Sequence, residues 1–298
     1  MNSGCEYRTV VQGSQSRTLG SFLSTHYAHS SAAEWEKRIR DGRVLLNGRP
    51  ATPGTPVARG DRVIWRRPPW QEPAAPLEFG LLHTDRHLLA VEKPPGLPTL
   101  PGAGFLEHTL LHQVRLQEPD AVAVHRLGRW TSGIVLFARS REARAPLAES
   151  WRSGGVEKRY LALASGRARS KEFDVLVPIG PVPYPPLGTL HAASAEGKPA
   201  VSRVTVLEQH EQTFLAEVKI LTGRPHQIRI HLAAAGHPLA GDPLYGPGGT
   251  PYEGSDARPG DPGYRLHAVG LSLEHPFEDR VLRVRSDPPR ALRRRSRS

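Results

Sequence analysis

Apolar positions follow two kinds of pattern along this chain. Leu19, Phe22 and Leu23 recur at helical spacing, and Trp35 and Ile39 repeat it one segment later. The run Gly42-Arg43-Val44-Leu45-Leu46-Asn47-Gly48 then predicts a strand entering an Asn-Gly turn. Gly60-Asp61 predicts a second turn before a strand at Arg62-Val63-Ile64-Trp65. From about residue 80 the apolar runs shorten and strands dominate. Leu88-Leu89-Ala90-Val91 predicts a strand, Leu110, Leu111 and Val114 a short helix, and the unbroken run Gly133 to Ala138 a buried strand. Ala216, Val218 and Ile220 alternate with Glu217 and Lys219, as in a strand buried on one face. Ile228, Ile230 and Leu232 alternate with Gln227, Arg229 and His231. That alternation predicts a further strand carrying the three polar residues on one face, away from the core.

These patterns divide the chain into a polar, loosely ordered leader at 1–16, a small module at 17–66, a linker at 67–79, a larger strand-rich domain at 80–286 and a disordered basic tail at 287–298. In the linker, Pro68, Pro69, Pro73 and Pro76 disfavour both helix and sheet and favour an extended spacer. Residues 246–263, with Pro247, Pro251, Pro259, Pro262 and many glycines, predict a mobile surface loop.

Charge adds a partner to this picture. The 298 residues hold 40 basic and 29 acidic side chains, a formal net charge of +11 with a pI near 10.3. Such an excess favours a polyanionic partner, RNA or DNA first. The tail arginines Arg290, Arg293, Arg294, Arg295 and Arg297 add to the attraction for phosphates. A single cysteine, Cys5, excludes an intrachain disulfide and fits a reducing compartment. No window is long and apolar enough for a membrane span, and residues 1–16 lack the apolar stretch of a secretory signal, so a cytoplasmic location is expected.

Three segments concentrate chemistry. His125 to Gly133 is a polar loop, dense in His, Arg, Thr and Ser, that leads directly into a buried strand, where sites are commonly built. Thr222-Gly223-Arg224-Pro225-His226-Gln227-Ile228-Arg229 is a turn followed by a cationic stretch. Lys158-Arg159-Tyr160 sets an aromatic beside two cations, a combination suited to tracking a backbone and stacking on a base. His108 and His112, four apart, have a spacing that can bind zinc, but no third ligand lies nearby, and they read as ordinary helix-surface histidines. No metal or organic cofactor is expected.

The order of these segments resembles the RNA pseudouridine synthases that act on large-ribosomal and transfer RNA. Lys93-Pro94-Pro95-Gly96 is similar to the family's Lys-Pro-x-Gly turn, and His125-Arg126-Leu127-Gly128-Arg129-Trp130-Thr131-Ser132-Gly133 to its His-Arg-Leu-Asp-x-x-Thr-Ser-Gly loop. Lys158-Arg159-Tyr160-Leu161-Ala162, Gly197-Lys198-Pro199-Ala200, Thr222 to His231, Gly236 to Asp242 and Leu266-His267-Ala268 follow collinearly across residues 80 to 286. The 17–66 module resembles an RNA-binding module first described in a small-subunit ribosomal protein; there Arg17, Arg38, Arg40 and Arg43 would face the RNA backbone. The resemblance implies an α+β fold, a bent and mainly antiparallel sheet with flanking helices and a basic cleft across its middle. It also implies conversion of uridine to pseudouridine, in which the base leaves its stack.

Residue by residue, the resemblance implies that Arg126 holds RNA open at the site, that Tyr160 stacks on the uracil and takes the proton from C5, and that Arg224 pairs with the nucleophilic carboxylate. His125, Arg129, Lys93, Lys158, Lys198, His226 and Arg229 join Arg126 as expected RNA contacts. The nucleophilic Asp position itself holds Gly128, which has no side chain. Three resolutions follow. Another acid reaches the site, with Asp85, Glu92 and Asp242 as candidates; or an RNA phosphate pairs with Arg224 in a protein that binds without reacting; or the fold catalyses a different reaction.

Overall fold

The computed structural model describes residues 1–12, 17–27 and 30–294. The chain divides into two compact units, Met1–Glu72 and Pro73–Ser298. Among the described residues, no helix is long and apolar enough to cross a membrane.

In the first unit, helices Leu19–His26 and Ala32–Arg40 pack on a four-stranded sheet. Its strand order is Cys5–Val10, Arg62–Arg67, Val44–Leu46 and Arg49–Pro50. Ser31 and Glu34 start the second helix by capping each other's backbone amides. Asn47 and Gly48 both adopt positive φ (52° and 80°) in the tight hairpin between Leu46 and Arg49, the turn their dipeptide predicts. Leu19, Leu23, Trp35, Ile39, Val44 and Val63 close a small core.

The leader predicted to be loose is instead an edge strand, Cys5–Val10, paired along its whole length with Arg62–Arg67. Its polar composition follows from its place at the edge, where most of its side chains meet solvent. Residues 13–16 of that leader, and Arg295 and Arg297 of the tail, lie outside the described residues.

The second unit is built on a ten-stranded sheet. All its pairings are antiparallel except one, in which Ser132 and Gly133 run parallel to His267 and Ala268. The inner strands are apolar without interruption because both faces are covered. Leu89, Val91, Val135 and Phe137 point to one core, and Leu88, Ala90, Ile134 and Leu136 to the other.

Three predicted features change. The segment expected as a strand is the helix Gln227–Ala234, buried on nearly every side. The 246–263 loop has no regular structure but is tethered. Trp130 donates to Gly260 O, Arg229 to Pro259 O, and the Tyr184 hydroxyl lies within hydrogen-bond reach of Ser255 O and Ala257 O. In the tail, Arg290–Leu292 forms a 3-10 turn because Leu292 buries itself against Leu161 and Leu215.

Candidate active site

Two backbone features aim the site. Gly133 lies at φ 103°, and a Cβ there would sit 2.3 Å from Ala268 O. Only glycine permits the parallel approach that ends the His125–Gly133 loop against the strand Leu266–Glu274. On the other side of that strand a β-bulge falls between Arg159 and Tyr160, where the register shifts to set Tyr160 opposite Ala268. Bulges re-aim side chains. This one brings Tyr160 toward the loop that Gly133 anchors.

A cleft of about 110 Å³ lies where these elements meet. Arg126, Gly128 and Thr131 line it from the loop, Tyr160 from its strand, Arg224, His226, Gln227 and Arg229 from the helix entrance, and Tyr264 from the last connection. Burial pushes the Tyr160 phenol up to about 12, so its hydroxyl stays protonated.

The expected site residues separate into two sets. Several face inward. Lys93 is wholly buried and donates to the carbonyls of Pro94, Leu97 and Arg129, a strut between turn and loop that no RNA can reach. Burial, with the Arg129 cation nearby, pushes its ammonium down to about 7. The His125 ring stacks on Trp151 with centroids 4.2 Å apart, and its Nε2 accepts from the Leu136 amide. Burial and then Lys158 hold that imidazole down at about 3. Lys158 is buried over the other side of the network, 5.3 Å from the Trp151 ring centroid. Arg129 donates to Gly96 O and covers the Phe105 ring. In the first unit, Arg38 lies over Trp35 and Trp65, and Arg40 pairs with Glu36.

The buried arginine–carboxylate pair is not the expected one. Arg224 donates from Nε to Pro199 O, and among the described residues no carboxylate pairs with it. Arg229 instead makes two 2.7 Å bonds to Asp242, whose Oδ1 also caps the Leu244 amide. Half-exposed Arg224 therefore needs no protein counter-charge, whereas Arg229, 3% exposed, has one.

None of the three candidate acids supplies the missing carboxylate. Asp242 is spent on Arg229. Glu92 accepts from the Ser286 hydroxyl, in a separate cleft of about 430 Å³. Asp85 lies among His83, His275 and Arg280. Burial opposes its ionisation, but the His83 bond and the amides of His87 and Leu88 outweigh that and hold its carboxyl at about 2. Asp85, His275 and Glu278 also bring donor atoms within 4.8 Å of one another, a trio with metal-ligand chemistry, but Arg280 pairs with both of its acids. Among the described residues, no acid lines the Gly128 cleft.

The open side keeps Arg126 and Lys198, both exposed, with Arg224 and His226. Lys198 stands next to Pro199, which anchors Arg224, and is not part of the lining. His226 begins the helix at φ 55°, unusual for a residue with a side chain. The Tyr245 hydroxyl lies 2.6 Å from both His226 Nδ1 and His191 O. A carbonyl only accepts, so the hydroxyl donates there and His226 Nδ1 donates to the hydroxyl, which leaves Nε2 as an acceptor. Burial, and next Arg229, hold this imidazole neutral, at about 3.

Sequence reasoning missed Tyr264 and the pairing of Asp242 with Arg229. Tyr264 stands two residues before the Leu266-His267-Ala268 motif, and only the fold carries it to Gly128.

A basic, aromatic-lined cleft on a mainly antiparallel sheet, in a chain with a separate helix–hairpin module, defines a protein built to handle RNA. The RNA pseudouridylate synthase family matches at residues 87–234, and the S4 domain at residues 19–63. The chain is 41% identical to an uncharacterized RNA pseudouridine synthase of Synechocystis, over 91% of this chain and 94% of that one. It is 32% identical to the ribosomal large subunit pseudouridine synthase C of Salmonella typhimurium, over 93% and 91% of the two chains. The structure of human RNA pseudouridylate synthase domain containing 1 superposes with a TM-score of 0.59 at 25% identity, covering 75% of this chain and 89% of that one. The chain belongs to the RNA pseudouridine synthase family.

Proposed function

We propose that this protein isomerises uridine to pseudouridine in structured ribosomal or transfer RNA. The observation that carries the reading is the composition of the cleft. Tyr160 offers a protonated ring for a flipped base, while Arg126 and Arg224 stand at the open side with donors to spare for phosphates. The S4 domain adds a second RNA-binding surface. The ribosomal assignment draws on the Salmonella relative, whose name states that substrate. Gly128 occupies the position at which the family carries its nucleophilic Asp.

A second reading rests on one specific observation: among the described residues, no carboxylate lines the cleft. A protein that only binds RNA would use the same cations and the same platform. Pseudouridine mapping separates the two. Ribosomal and transfer RNA from cells lacking the protein are incubated with the natural chain and with Gly128→Asp. Pseudouridine made by the natural chain supports isomerisation. Pseudouridine made only by Gly128→Asp supports binding without chemistry.

A further inference from the structure

A hydroxyl stands beside the place where the side chain of residue 128 would begin. A Cβ built on Gly128 lies 3.1 Å from Tyr264 Oη and 3.4 Å from Thr131 Oγ1, closer to the tyrosine than most real contacts allow. A side chain at 128 would have to push the Tyr264 hydroxyl aside by a few tenths of an ångström, and the glycine leaves it in place.

Tyr264 is also held there. Its ring is 3% exposed yet lines the cleft. Its hydroxyl lies 3.4 Å from Thr131 Oγ1. The Arg229 guanidinium sits 4.3 Å from its ring centroid, fixed in turn by Asp242. The ring is thus held against a guanidinium that Asp242 fixes and whose charge it balances.

We propose that the Tyr264 hydroxyl is the nucleophile of this protein, in place of the side chain that Gly128 lacks. The proposal rests on the isomerase reading above. Tyrosine is an accepted covalent nucleophile, and some glycosidases use it at an anomeric carbon.

The step balances without a co-reactant. Tyr264 Oη bonds to ribose C1′ as the C1′–N1 bond breaks. The electron pair leaves with the uracil and the phenolic proton follows it to N1, so the base departs neutral. The base then turns to present C5. The C5–C1′ bond forms as the Oη–C1′ bond breaks and its electron pair returns to Oη. The proton on C5 then moves to Oη, restoring the phenol. Tyr160, protonated throughout, supplies the surface on which the base turns.

Two measurements on the full chain test this. Ribosomal and transfer RNA transcribed with 5-fluorouridine carry an electron-withdrawing fluorine on C5, which slows the attack of C5 on C1′, so the Oη–C1′ adduct formed before that step should accumulate. Digestion and mass spectrometry should place it on Tyr264. With natural RNA, Tyr264→Phe should lower kcat by roughly 10⁴ while leaving KM nearly unchanged. Gly128→Asp combined with Tyr264→Phe should recover activity, because the carboxylate enters the space the hydroxyl vacates. An adduct on another residue, or full activity in Tyr264→Phe, overturns the assignment and leaves the isomerase reading standing. Neither adduct nor pseudouridine from the natural chain overturns both.

Discussion

The floor of the cleft and its rim are built from the same kinds of residue and differ in how those residues are bonded. On the floor, Arg229 is saturated by Asp242 and Pro259 O. Gln227 bonds Thr222, the Arg224 amide, Val201 O and Ser202, and His231 spans Ser202 and Val177 O. At the rim, Arg224 commits only Nε, and among the described residues neither Arg126 nor Arg224 forms an ion pair. Of the arginines at the cleft, Arg229, buried beside an acid, is scaffold, and Arg126 and Arg224, with no acid beside them, are open to phosphate. Sequence position does not tell the two apart, since Arg224 and Arg229 share one motif.

The largest effect should come from the floor. Asp242→Ala leaves the Arg229 guanidinium buried without its counter-charge, which costs roughly 3–5 kcal/mol. Thermal unfolding of the full chain should show a clear fall in the melting temperature of the larger unit. An unchanged transition would break the distinction between floor and rim.

Next comes the rim. Arg126→Ala with Arg224→Ala should leave the melting temperature in place and weaken RNA binding. The slope of log affinity against log salt should fall by about one for each phosphate contact removed. A salt titration with ribosomal RNA checks it, and an unchanged slope would remove both arginines from the interface.

A pH effect sharpens the comparison further. His125 and His226 are neutral in the fold, each held at about 3 by burial first and then by a neighbouring cation. The unfolded chain binds their protons near pH 6.5. Their contribution to stability is therefore complete above that pH and is lost progressively as pH falls from 6.5 toward 3. Urea midpoints measured from pH 7 to pH 4 should decline, and His125→Asn should flatten part of the decline. A slope unaffected by that change would show that the His125 imidazole is not the group taking up the proton.

The smallest effect belongs to Lys198, exposed and outside the cleft lining. Lys198→Ala should alter stability by no more than about 0.5 kcal/mol. A filter-binding measurement should find RNA affinity only slightly reduced; a large loss would extend the rim beyond Arg224.

The helices and hairpin of the first unit were legible because each is specified locally, by helical spacing and an Asn-Gly turn. The Gln227–Ala234 helix was not. Alternation of Ile with Gln, Arg and His imitates a strand, but here the polar residues are buried as well, each bonded internally, so hydropathy carries no face. The site was legible as a set of segments and not as a set of roles. Lys93 and Arg129 look like RNA ligands in sequence, and only the placement of the Lys93-to-Gly96 turn against the loop shows that they bond each other's backbone neighbourhood. Tyr264 carries no sequence signal, because only the fold sets its hydroxyl 3.1 Å from where a Cβ at Gly128 would lie.

The parallel contact between Gly133 and Ala268 also sets a timetable. The first unit is complete once Arg62–Arg67 has emerged to pair with Cys5–Val10. The cleft, in contrast, waits for Leu266–Glu274, the strand that both Gly133 and Tyr160 lean on. Contacts so distant in sequence form slowly, and domains fold in the order they are synthesised. On the ribosome the S4 domain therefore takes shape while the larger unit is still incomplete, and the cleft closes only after nearly the whole chain has emerged.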